Sequence, residues 1–79
     1  MPTKSPSTIR RQLGAAERDL ATATAAADRI AATLAGVGNN HGKLTRLSDE
    51  LARAHVAVSR AEERWLALAA DAESLGLDV

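Results

Sequence analysis

Apolar side chains return along this chain at Ile9, Leu13, Ala16, Leu20, Ala23, Ala27, Ile30, Leu34 and Val37, with gaps of four and three residues in strict alternation. This is the heptad seam of a coiled coil, with Leu13, Leu20, Ala27 and Leu34 at position a and Ile9, Ala16, Ala23, Ile30 and Val37 at d. The same alternation resumes at Leu44, Leu47, Leu51, Ala54, Val58, Ala61, Trp65, Leu68, Ala72 and Leu75. Between the two seams, "GVGNNHG" (36–42) has no apolar period and holds Gly and Asn, the residues of turns. Ser5-Pro6 is a helix start, with Ser as N-cap and Pro where a missing N–H is tolerated. Gly36 is expected to close the first helix in the left-handed region, Asn40 to cap the second, and Gly76 to end it.

The pattern predicts an all-α fold, a two-helix antiparallel coiled-coil hairpin. Its parts are a flexible lead-in at 1–5, a helix over 6–36, a turn at 37–40, a helix over 41–75 and a tail at 76–79. Each helix should run about 45 Å at 1.5 Å per residue. With the turn centred near Asn40, Leu34 falls beside Leu47, Ile30 beside Leu51, Ala27 beside Ala54, Ala23 beside Val58, Leu20 beside Ala61, Ala16 beside Trp65 and Leu13 beside Leu68. The Ala27–Ala54 layer offers little burial, so a weak waist is expected between two better-packed ends. Trp65 facing Ala16 is a large residue set against a small one.

Composition narrows the function. A chain of 79 residues with one Trp, no Phe and no Tyr is at most one small domain, too short of large side chains to enclose an active site. It has no Cys, hence no disulfide or thiolate metal site, which fits a cytoplasmic protein. No apolar run reaches the ~18 residues of a membrane span, and "MPTKSPS" lacks the apolar core of a signal peptide. Ten Lys and Arg balance ten Asp and Glu, so any case for nucleic acid must rest on local patches.

One stretch imitates a phosphate-binding loop. That loop needs a strand before it, Gly-x-x-x-x-Gly-Lys, and then a hydroxyl to hold Mg²⁺. Gly42-Lys43 supplies the last pair, but Leu44 stands where the hydroxyl belongs, and Val37 where the first Gly belongs. The preceding segment reads as helix, so the pair is a turn feature. His41 and His55 lie far apart on a rod with no carboxylate at ligand spacing and read as solvated. Trp65 could stack on a base, but its seam register makes it a packing residue first.

The second helix, "RLSDELARAHVAVSRAEERWLALAADAESLG", carries a more specific signal. Its segment Glu62, Glu63, Arg64, Trp65 and Leu66, with "IRRQLGAAERDL" opening the first helix, resembles the C-terminal coiled-coil domain of ABC-F proteins. These are cytoplasmic ATP-binding-cassette proteins without membrane spans, and the resemblance covers about residues 8 to 75. It implies a hairpin following two nucleotide-binding domains, with ATP and Mg²⁺ bound in the parent and no cofactor in this chain. It further implies partners among the ribosome and its RNA, DNA, and the parent's own nucleotide-binding domains. At the turn, members often carry an acidic residue with an aromatic one, where this chain has "NNHG".

The residues themselves offer a candidate surface. Lys43, Arg46, Arg53, Arg60 and Arg64 fall at c and g positions of the second helix, as a stripe about 30 Å long. Arg11 and Arg18 make a short outer stripe on the first helix. Arg spaced by seven can follow a phosphate backbone. The plainer expectation is a solvated face with ion pairs to Asp49, Glu50, Glu62 and Glu63, and a g–g′ pair between Asp19 and Arg64 across the seam. Function is therefore expected to be non-enzymatic nucleic-acid binding. The alternatives are a protein-interaction or dimerisation hairpin using Val56 and Leu66, or the tRNA-binding C-terminal arm of an aminoacyl-tRNA synthetase such as the valine enzyme. The hairpin is expected to be a monomer or to associate weakly with itself.

Overall fold

Ser5 sets the first helix by using its side chain on the backbone. Its Oγ accepts the Thr8 N–H at 3.3 Å, its carbonyl accepts the Ile9 N–H, and Pro6 takes the first helical position. The computed structural model describes residues 5–76, and within them the chain forms two helices. Helix α1 spans Pro6–Ala35 and helix α2 spans His41–Ser74. They pack side by side in a rod 55 × 20 × 14 Å. The remainder of the expected lead-in and the tail beyond Gly76 lie outside the described residues.

The seam follows the heptads. From Ile9 to Ala72 every expected seam position is buried or half-buried, and Leu75 alone among them is exposed. The antiparallel register also holds. Trp65 meets Glu17, the neighbour of its expected partner Ala16, and Arg64 meets Asp19.

Burial is not shared as the sequence suggested. The core is one cluster near the open end of the hairpin: Ile9, Leu13, Ala16, Leu68 and Ala72, with Trp65 and Ala69 packed against it. Toward the turn, Ile30, Leu34, Leu44, Leu47 and Leu51 are only half-buried. At the expected thin waist Ala27 is 5% exposed and Ala54 half-buried, and neither belongs to the open-end cluster.

The turn differs in one detail. Gly36 has φ −96° and ψ 2°, a conformation open to any residue, and Gly38 at φ 69° makes the left-handed step. Helix α1 ends by tightening: the Gly36 N–H donates to the Thr33 carbonyl and the Val37 N–H to that of Leu34. That leaves the reversal to the next glycine. Asn40 caps α2 as expected, its Oδ1 accepting the Lys43 N–H at 3.1 Å. At the far end Gly76 takes φ 74° just past the helix, and its N–H donates to the Glu73 carbonyl.

Candidate nucleic-acid interface

The Asn40 cap fixes where α2 starts, and the seam fixes its rotation. Together they decide where the cations point. Arg46, Arg53 and Arg60 fall on successive c positions, just outside the seam, about 10.5 Å apart along the axis. All three are exposed, as is Lys43 at g. Arg64, also at g, is engaged differently: its Nη1 donates to Asp19 Oδ2 at 2.7 Å across the seam. Both side chains of that pair are more than half exposed, so the bond adds little stability, but it offsets the charge of Arg64.

The expected ion pairing of the stripe is not formed. Asp49 and Glu50 lie within a turn of Arg46 and Arg53, and Glu63 within a turn of Arg60. Yet among the described residues Arg64–Asp19 is the one ion pair. Arg46, Arg53 and Arg60 extend into solvent, where a guanidinium is free to meet a phosphate oxygen by two parallel hydrogen bonds.

Arg11 and Arg18 are exposed at f positions of α1, the face turned from α2. The Arg18 guanidinium folds back along its helix, where a Cβ added to Gly14 would sit 3.6 Å from Nη1. The structure therefore keeps this pair apart from the α2 line.

The remaining candidates find structural places. The Lys43 N–H, which a phosphate loop would turn toward its ligand, is taken by Asn40 Oδ1, and a helix precedes the turn. His41 and His55 are exposed. Among the described residues no group of three or more His, Cys, Asp or Glu is placed to hold a metal ion. No helix of the described residues is long and apolar enough to cross a membrane. Trp65 packs on the core cluster, and its indole Nε1 donates to Glu17 Oε1 at 3.3 Å. This bond was legible in principle, because Glu17 adjoins Ala16 in the predicted pairing. A shallow opening of about 260 Å³ near the open end is lined by Gln12, Arg64, Ala67, Leu68 and Asp71. Its Arg64 is the one already bonded to Asp19.

Comparison with protein-family models, with curated proteins and with solved structures finds no match for this chain.

Proposed function

We propose that this hairpin is a non-catalytic nucleic-acid-binding arm, the C-terminal coiled coil of an ABC-F-like ATP-binding protein of the cytoplasm. In this reading ATP and Mg²⁺ belong to the parent's nucleotide-binding domains. The arm touches ribosomal RNA or another nucleic acid through Lys43, Arg46, Arg53 and Arg60. The observation that carries it is the line of three exposed, unpaired Arg side chains at heptad spacing on one edge of α2. Such a line contacts phosphates and not bases, so binding is weak, indifferent to sequence and steeply dependent on salt.

The test is the salt slope. About four phosphate contacts give a slope of log K against log salt near −3. Replacing Arg46, Arg53 and Arg60 together by Gln should cut that slope to about −1 and leave the circular dichroism unchanged. An unchanged slope in the triple variant rejects this edge. A second reading, a protein-interaction hairpin, draws on Val56 and Leu66, which are 50% and 57% exposed. Self-association in sedimentation without nucleic-acid binding at ~50 mM salt is the outcome that favours it.

A further inference from the structure

The Asp19–Arg64 bond joins two g positions and so identifies which flank of α1 meets which flank of α2. Position c adjoins g on a helix, so the c residues of both helices border this same flank. On α2 these are Arg46, Arg53 and Arg60; on α1 they include Arg29. Moving equally far toward the turn on both helices from Asp19 and Arg64 arrives at Arg29 and Ala54, with Arg53 beside it. Arg29 thus stands level with Arg53, on the opposite edge of one trough.

Three further observations single out Arg29. It is exposed. Its helical neighbours three and four residues away are Ala25, Ala26, Ala32 and Thr33, so no carboxylate lies within a turn on its own face. Arg46 and Arg53, by contrast, share Asp49 and Glu50. Finally, what lies between the two edges is small: Ala26 is half-buried and Ala57 exposed, and no long apolar side chain bars the trough. The exception is Glu50, half-buried at g between Arg46 and Arg53, where it opposes an anion.

We infer that Arg29 is the second edge of the binding surface, so that a phosphate backbone lies in the trough between the helices, held by Arg29 from α1 and by Arg46 and Arg53 from α2. This rests on the nucleic-acid reading above and adds a contact from the other helix. Interaxial distances of about 8–10 Å set Arg29 on one side of a single backbone and the row of Arg46 and Arg53 on the other. The flank has no aromatic residue, since the chain's single Trp bonds to Glu17 at an e position, on the other flank. Recognition here is therefore by charge and shape, without base stacking.

The experiment uses the full chain and fluorescein-labelled duplexes of ~20 base pairs, one of RNA and one of DNA, titrated between ~25 and ~200 mM salt. Arg29→Gln should weaken binding and reduce the slope by about 0.9, one phosphate contact. Arg29→Lys should keep the slope, because the charge is retained. The double variant Arg11→Gln, Arg18→Gln should leave it unaltered, and Glu50→Gln should tighten binding. Circular dichroism establishes that each variant keeps its helices. If Arg29→Gln retains the wild-type slope while the α2 triple variant loses its own, the trough is wrong and the single edge stands. If wild type fails to bind either duplex at ~25 mM salt, the trough and the proposed function fall together.

Discussion

The half of the hairpin near its open end and the half near its turn carry the same alternation of apolar positions and are packed differently. In the first half Ile9, Ala16 and Ala72 are each 1% exposed, and Leu13 and Leu68 are buried between them. In the second, Ile30, Leu34, Leu47 and Leu51 sit in the seam and stay half in water. At the two extremes of the rod the difference follows what faces what, while Leu20 and Ala61 between them stay half-buried. At the open end Ile9 shares a cluster with Ala72, and Trp65 packs on the cluster that holds Ala16, so large side chains find small ones and the helices close. The Leu13–Leu68 layer is shut in by those two neighbours. Near the turn Leu34 stands by Leu47 and Ile30 by Leu51, large against large, and two helices alone cannot enclose both. The described cross-helix bonds, Arg64 to Asp19 and Trp65 to Glu17, fall in the better-packed half as well.

The largest test of this contrast sets one Leu against another. Leu68→Ala removes a buried side chain and should cost about 3 kcal/mol. A domain this small rarely holds more than about 3–5 kcal/mol in all, so the variant should keep no more than about 2 kcal/mol and lose its helicity at much lower urea than wild type by circular dichroism. Leu47→Ala, at a half-buried seam position, should cost about 1 kcal/mol and give a measurable urea midpoint. Equal losses at the two positions would erase the distinction between the halves.

A middle-sized effect is expected at the boundary. Because Ala27 is only 5% exposed, a Leu there must displace neighbours already in place, and Ala27→Leu should destabilise by about 1–2 kcal/mol through overpacking. A raised urea midpoint would instead reveal the thin waist that the Ala27–Ala54 pairing suggested. Smallest is the surface bridge. A double-mutant cycle on Asp19→Asn and Arg64→Gln should return a coupling of about 0.2–0.5 kcal/mol that fades at high salt. A coupling several times larger would mean that this bond, and not the apolar layers, holds the open end together.

Much of the fold could be read from residue spacing. A heptad states which face of each helix is buried, so the seam from Ile9 to Ala72 and the antiparallel pairing were available from the sequence. The caps at Ser5 and Asn40 were available for a different reason, since their side chains complete the backbone locally. Which glycine reverses the chain was not legible. Gly36 and Gly38 are equally permissive, and the choice was made by how α1 ends its own hydrogen bonds. Burial depth was not legible either, because it depends on the distance between helices, which spacing along one helix does not encode. At the candidate site, the α2 line follows from the spacing of Arg46, Arg53 and Arg60. Arg29 does not, because its relation to that line exists only once the Asp19–Arg64 bond has matched the flanks of the two helices.

The placement of Trp65 makes the protein its own optical reporter. With no Tyr or Phe in the chain, all intrinsic ultraviolet fluorescence comes from one indole, packed on the open-end cluster with a carboxylate on its N–H. Emission wavelength therefore records the opening of that half, while the far-ultraviolet dichroism averages over both helices. Unfolding followed by the two signals separates the halves without a label. If the turn end frays first, dichroism falls while the emission still reports an indole shielded from water.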